Sequence, residues 1–163
     1  MRIHKGKVKF NTKDTWSLDS VLSNVICEGV TKYKEVINEG DRWRKGIPSS
    51  ISKEMEDQGV ISYEGEYGGL SDEEFKKCEG YLDYVLDEIV YAFDKNNIPD
   101  IEAYDFSYNT ISEEPNENGT IPFTLECTNE EEVQRYQEDT DKYNKRCEEG
   151  RLLFAKHFNG LWW

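Results

Sequence analysis

The chain has 163 residues with 20 basic and 34 acidic side chains, a net charge of −14. That length suits a single domain able to bury a core without staples. No stretch approaches the ~18 apolar residues of a membrane span and no signal peptide opens the chain, so a cytosolic protein with no membrane partner is expected. A wholly acidic surface repels nucleic acid backbones, so nucleic acid is not expected as a partner.

The charge is unevenly placed. Residues 1–53 hold 11 basic and 6 acidic residues, while residues 54–163 hold 9 and 28, a net of −19. The basic patch at one end and the acidic surface elsewhere serve solubility at least, and each is also a possible docking surface. Four cysteines, Cys27, Cys78, Cys127 and Cys147, lie far apart with no CxxC and no Cys/His pair at zinc spacing. They read as small buried hydrophobes in a reducing compartment rather than metal ligands.

In chain order, "MRIHKGKVKF" alternates weakly and is a candidate edge strand. A helix over about 17–39 follows. Ser17 or Asp14 can cap it, Asp19 suits the positive end of its dipole, and Gly40 is a stop. Leu18, Val21, Leu22, Val25, Ile26, Val30, Tyr33 and Ile37 recur at three- and four-residue steps and form its apolar stripe. The stretch from Asp41 to about Leu70 is the least determined, and "GVISYEGEYGG" within it is a strand or a loop. A second helix covers about 71–97. Ser71 and Glu74 form a capping box, Phe75, Cys78, Leu82, Val85, Leu86, Ile89 and Phe93 its stripe, and Ile98-Pro99 its end.

Over about 101–127, Tyr104, Phe106 and Tyr108 alternate, as do Ile121, Phe123, Leu125 and Cys127, so two strands joined around "SEEPNENG" make a hairpin. A long third helix covers about 129–159, with Thr128 and Glu131 as its capping box and Gly160 as its stop. Tyr136, Thr140, Tyr143, Cys147, Gly150, Phe154, His157 and Leu161 alternate steps of four and three, a heptad-like seam on which Gly150 lets another backbone approach. About 30 helical residues span roughly 45 Å. A kink would shorten that length, or part of the helix packs on another subunit, and a homo-oligomer is expected. The fold class is therefore α+β, mainly α: a three-helix core with a small β-hairpin between helices two and three, in one domain, 1–163.

Enzymatic motifs are missing. There is no GxSxG, no Walker loop and no dinucleotide fingerprint, and only His4 and His157 offer imidazole chemistry. His157 on the seam reads as a packed or interface histidine. Asp83 and Asp87 share a helix face at i,i+4, with Glu88 beside them. Inward carboxylates in a bundle can hold Mg²⁺ or Mn²⁺, but the spacing matches no Glu-x-x-His pattern, and a solvated helix face is the simpler reading. No catalytic residue, cofactor or resident metal is expected. "GDRWRKGIP" sets Arg42, Arg44 and Lys45 around Trp43. Arg146, Arg151 and Lys156 precede Trp162 and Trp163. Cations neutralise phosphate and flat rings stack bases, so these residues other than Trp163, together with Trp16, are the candidate ligand-binding set; packing anchors are the plain alternative for the tryptophans.

"DTWSLDSVL", "VLDEIVYAF" and "RCEEGRLLFAKHFNGLWW" resemble, in that order, three signatures of an uncharacterised family of small bacteriophage proteins: a DTWSMD-like opening, a VLDEMIWAFE-like middle and an RMxNGxRLFGKYFxxLWD-like end. The resemblance marks Asp14, Trp16, Asp19, Asp87, Glu88, Arg146, Gly150, Phe154, Lys156, Leu161 and Trp162. Glu149 departs from an Asn of the pattern, Leu152 from an Arg and Trp163 from an Asp. It implies a phage origin and action in the host cytoplasm, and no settled activity. By analogy, host takeover or counter-defence is the expected setting. Three functions are open, in this order: sequestering a nucleotide-type immune signalling molecule, inhibiting a host defence protein through the acidic surface (as a DNA mimic, for example), and metal-dependent nucleotide hydrolysis at Asp83, Asp87 and Glu88.

Overall fold

Apolar residues at helical spacing do become helices in the computed structural model, which describes residues 2–4, 7–9, 17–39, 46–62, 69–112 and 114–161. The helices are α1 (Leu18–Glu39), α2 (Ser49–Asp57), α3 (Asp72–Phe93) and α4 (Glu130–His157). The strands are β1 (Arg2–His4) paired antiparallel with β2 (Lys7–Lys9), and β3 (Tyr108–Ser112) paired antiparallel with β4 (Phe123–Cys127). The structure is mainly helical, with the second hairpin between α3 and α4 and a long C-terminal helix, as the sequence predicts. The opening stretch is a hairpin of its own rather than a lone edge strand.

The chain gathers into two compact units. One comprises residues 1–97 and 146–163, the other 98–145. In the first, α3 is the central element. Ser71 Oγ accepts from the Glu74 amide and Glu74 returns a carboxylate to the Ser71 amide at 2.9 Å, completing the expected capping box. Glu74 also accepts from the Ser62 amide at 2.9 Å. These backbone donors, Ser71 first, hold its carboxyl down at about 2. Cys78, Leu82, Val85, Leu86 and Ile89 are buried on one face of α3 and form the core with Val30, Ile51, Met55, Ile61 and Leu161.

Helix α1 packs on α3, but only through part of the expected stripe. Val30 is buried, and Ile26, Tyr33 and Ile37 pack against the core, whereas Leu18, Leu22 and Val25 stay about 40% exposed. The stripe was too wide for the single row that α3 covers. Helix α2 lies in the stretch that sequence left undetermined. Pro48 precedes it, with its carbonyl accepting from Ile51 and Ser52, and Gly59 at φ 69° turns the chain out behind it. Ile51 and Met55, four apart, carry its buried face.

The seam of α4 lies inward at Cys147, Gly150 and His157, with Leu161 just beyond the helix. A Cβ on Gly150 would sit 2.2 Å from the Glu88 carbonyl oxygen and 2.6 Å from Ala92 Cβ, so the approaching backbone belongs to α3 of the same chain. Phe154 stacks edge-on between Phe93 and Phe158, at 5.4 and 5.3 Å. The long helix contributes its first sixteen residues to one unit and the rest to the other. Its cap is Asn129, whose side chain accepts from the Glu132 amide, whereas Thr128 donates to the Ser107 carbonyl at 3.1 Å. Gly160 is not a left-handed stop: α4 passes into a 3₁₀ turn over Phe158–Gly160, and a Cβ there would meet Ser50 Oγ at 2.5 Å.

The 98–145 unit is built differently. Tyr104 and Phe106, expected in a strand, follow a 3₁₀ turn (Ile101–Ala103) and pack edge-on against Tyr136 of α4 at 5.1 and 5.5 Å. Arg135 lies 4.6 Å over the Tyr104 ring, and the Tyr104 hydroxyl donates to Asp139 at 3.0 Å. No described residue of this unit is fully buried. Among the described residues, no helix is long and apolar enough to cross a membrane.

Two glycines of the helical core give opposite expectations. Gly150→Ala forces backbone apart and should cost about 1–3 kcal/mol in urea unfolding, with an unchanged denaturant slope. Gly80 in α3 has nothing within 4 Å, and Gly80→Ala should raise stability by about 0.5–1 kcal/mol through helix propensity alone.

Candidate functional site

Two polar constellations form where α4 meets α3 and α2. In the first, Arg146 grips Glu88 with both ends of its guanidinium, Nε to Oε2 and Nη2 to Oε1, each at 2.7 Å. The guanidinium also lies 3.7 Å over the Tyr91 ring. Glu88 is buried, so an unpaired charge there would be expensive, and the fork satisfies both oxygens at once. The Glu88 hydrogen bond raises the Arg146 pKa further. One turn on, the Tyr84 hydroxyl donates to Glu149, and its phenol is pushed up to about 12, first by that bond and then by partial burial. The Glu149 carboxylate thus has a partner of its own.

In the second constellation, His157 is fully buried beneath α2. Its Nδ1 faces Ser50 Oγ at 3.1 Å, and its Nε2 lies 3.0 Å from Glu54 Oε2 without the alignment of a hydrogen bond. Lys156 reaches the other Glu54 oxygen at 2.6 Å. Burial lowers the His157 pKa, Lys156 adds to that, and Glu54 opposes it without prevailing, so the imidazole is neutral near pH 7. Burial would raise the Glu54 pKa, but hydrogen bonds from Lys156 and then Tyr81 outweigh it and leave it lowered. The Tyr81 phenol is raised by burial and by Glu54.

Ser50, His157 and Glu54 have the membership of a nucleophile–base–acid chain, but not its layout. The imidazole is sealed from solvent and turns Nδ1, not Nε2, to the serine. Ser50 Oγ also lies close to Gly160, where an added Cβ would meet it at 2.5 Å. The cluster ties α2 to the end of α4. Sequence reading missed Ser50, Glu54 and Tyr81; the i,i+4 spacing of Ser50 and Glu54 shows a shared face only once α2 is known.

The sequence-predicted ligand set does not converge among the described residues. Trp16, Arg42, Trp43, Arg44, Lys45 and Trp162 lie outside them, as do Asp14 and Gly40. Arg146 is committed to Glu88 and Lys156 to Glu54, whereas Arg151 is exposed. The acidic trio does not converge either. Glu88 is held by Arg146, Asp87 pairs with Lys34, and Asp83 lines a cleft of about 160 Å³ with Ile37, Asn38, Gly46, Ile47, Glu79 and Leu82. Among the described residues the charged groups of that cleft are two carboxylates, Glu79 and Asp83. Among the described residues no group of three or more His, Cys, Asp or Glu side chains could hold a metal ion. Cys78 and Cys147 are buried, Cys27 and Cys127 half-buried, and all four are free thiols; burial raises the Cys27 and Cys78 pKa values.

No protein-family model matches the sequence, and no curated protein or solved structure matches it.

Arg146→Ala strands the buried Glu88 charge and should destabilise toward the lower end of ~3–5 kcal/mol, because Arg146 itself is half exposed; urea unfolding measures this. The buried imidazole gives a pH signature. The unfolded chain takes up a proton as pH falls through about 6.5, the ordinary histidine value, while folded His157 does not, so stability is full above that value and declines below it. His157→Gln should flatten this decline between about pH 7 and 5, while the further loss below about 4.5 from Glu54 and Glu74 remains.

Proposed function

We propose that the protein is a non-enzymatic interaction protein whose acidic 98–145 unit docks on a basic surface of a host protein, in the counter-defence setting that the phage resemblance implies. One observation carries this reading: the unit holds 13 acidic and 3 basic residues, a net of −10 within a chain of −14. Two of its three cations are already engaged, Arg135 with Glu132 and Lys142 with Asp139. Glu117, Glu126, Glu130, Glu131, Glu138 and Asp141 are exposed, so the field faces solvent. Such a surface attracts a basic partner quickly, repels nucleic acid, and competes with nucleic acid for the same partner.

Nucleotide sequestration is the second reading. Arg151 supports it, as an exposed cation for which no ion pair is recorded among the described residues. Arg146 and Lys156 support it less, because a phosphate must first displace Glu88 or Glu54. The hydrolase reading has the least support, since Glu88 and Asp87 each already face a cation.

The test uses the full chain as bait against host lysate, with a variant carrying Glu130→Gln, Glu131→Gln and Glu138→Gln. A specific partner should bind at low salt, weaken at high salt and weaken again with the variant, while helicity is unchanged. A partner held equally by the variant and at high salt sinks the electrostatic docking. A broad nucleotide panel in thermal-shift measurements settles the second reading: a large shift with one nucleotide favours it, and a flat response ends it.

A further inference from the structure

The β3–β4 hairpin divides its side chains unequally between two faces. Its register pairs Tyr108 with Cys127, Thr110 with Leu125 and Ser112 with Phe123, so Tyr108, Phe123 and Leu125 stand on one face. Asn109, Ile111 and Glu126 stand on the other. On the first face Tyr108 is 54%, Phe123 64% and Leu125 55% exposed. A two-stranded ribbon is marginal in water until a helix or further strands cover its apolar face, and large apolar side chains grouped in the open mark a contact surface.

Charge selects what covers this face. Residues 96–134 contain ten acidic residues and no basic one. Exposed Glu114 and Glu117 lie at the turn end of the hairpin, between β3 and β4. At the other end the Thr128 amide donates to the Ser107 carbonyl at 2.8 Å, and exposed Glu130 and Glu131 follow directly at the start of α4. Carboxylates therefore stand beyond both ends of the apolar strip. A second copy brings the same carboxylates, and a nucleic acid or an anionic lipid surface brings phosphates, so all three are repelled. A cationic segment without apolar groups would leave Phe123 and Leu125 wet.

We infer that the face formed by Tyr108, Phe123 and Leu125 docks an amphipathic cationic segment of a partner protein. Aliphatic or aromatic side chains of that segment cover the strip, and lysine or arginine on either side of them meets the carboxylates at its ends. Charge then speeds the encounter, and the apolar anchors hold the complex. The inference rests on the acidic docking proposed above and gives it a place and an apolar component.

The experiment measures fluorescence anisotropy of labelled synthetic peptides with the full chain at low salt. One peptide alternates lysine with leucine, one lysine with serine, and one glutamate with leucine. The lysine–leucine peptide should bind at least about tenfold more tightly than lysine–serine, and glutamate–leucine should not bind. Phe123→Thr with Leu125→Thr keeps strand-favouring residues and should bring lysine–leucine down to the level of lysine–serine, with helicity unchanged. Ile111→Thr, on the opposite face, should leave both affinities as they are. In wild type, the lysine–leucine peptide should also slow amide exchange in β3 and β4; unchanged exchange there places the contact elsewhere and overturns the inference. Equal affinity of the two lysine peptides, indifferent to Phe123→Thr with Leu125→Thr, overturns the apolar face while the acidic docking stands. Indifference of both lysine peptides to Glu130→Gln, Glu131→Gln and Glu138→Gln sinks the acidic docking itself. A wild-type dimer in sedimentation that Phe123→Thr with Leu125→Thr abolishes gives the face to a second copy and overturns the inference.

Discussion

The absence of a side chain at Gly150 is the constraint on which the helical unit depends. With the Glu88 carbonyl 2.2 Å from the place a Cβ would take, α4 can cross α3 nearly backbone to backbone. Arg146 lies one turn before that crossing and Glu88 is at it, so the crossing distance brings the guanidinium fork within reach of a carboxylate 58 positions away in sequence. Two turns after it, His157 arrives beneath α2 against Ser50 and Glu54. One close approach therefore sets the register of both polar constellations, and each holds a different neighbour of the long helix.

The electrostatics divide along the same lines. Several described cations are used within the chain: Lys34 on Asp87, Arg146 on Glu88, Lys156 on Glu54, Arg135 on Glu132, Lys142 on Asp139. Ion pairs of this kind hold elements in register more than they add stability, especially where they face water. Their combined effect is to withdraw positive charge from circulation. Among the described residues, what remains for solvent is a carboxylate-rich surface densest in residues 98–145.

Much of the helical architecture was legible because it is periodic and local. Ser71 and Glu74, three residues apart, announce the start of α3, and the Cys147–Gly150–His157 seam announces the inward face of α4. Helix α2 was not legible, since nine residues give only Ile51 and Met55 as a pattern. The Tyr104–Phe106–Tyr108 alternation misled, because aromatic residues two apart also result when a turn lays rings on a helix. Of the candidate site, the type of Arg146 and Lys156 was readable, but their fate was not. Whether a basic side chain faces a ligand or an internal carboxylate depends on contacts across 58 and 102 positions, which no local spacing encodes.

The 98–145 unit holds its shape through half-buried aromatic rings, turns and surface ion pairs, with no described side chain wholly enclosed. Packing therefore vetoes few substitutions there, while the core side chains of α3 and the 147–161 seam are hemmed in on every side. The outer carboxylates can be moved, added or removed without repacking the helical core. That separates the part of the chain free to vary from the part that must stay as it is.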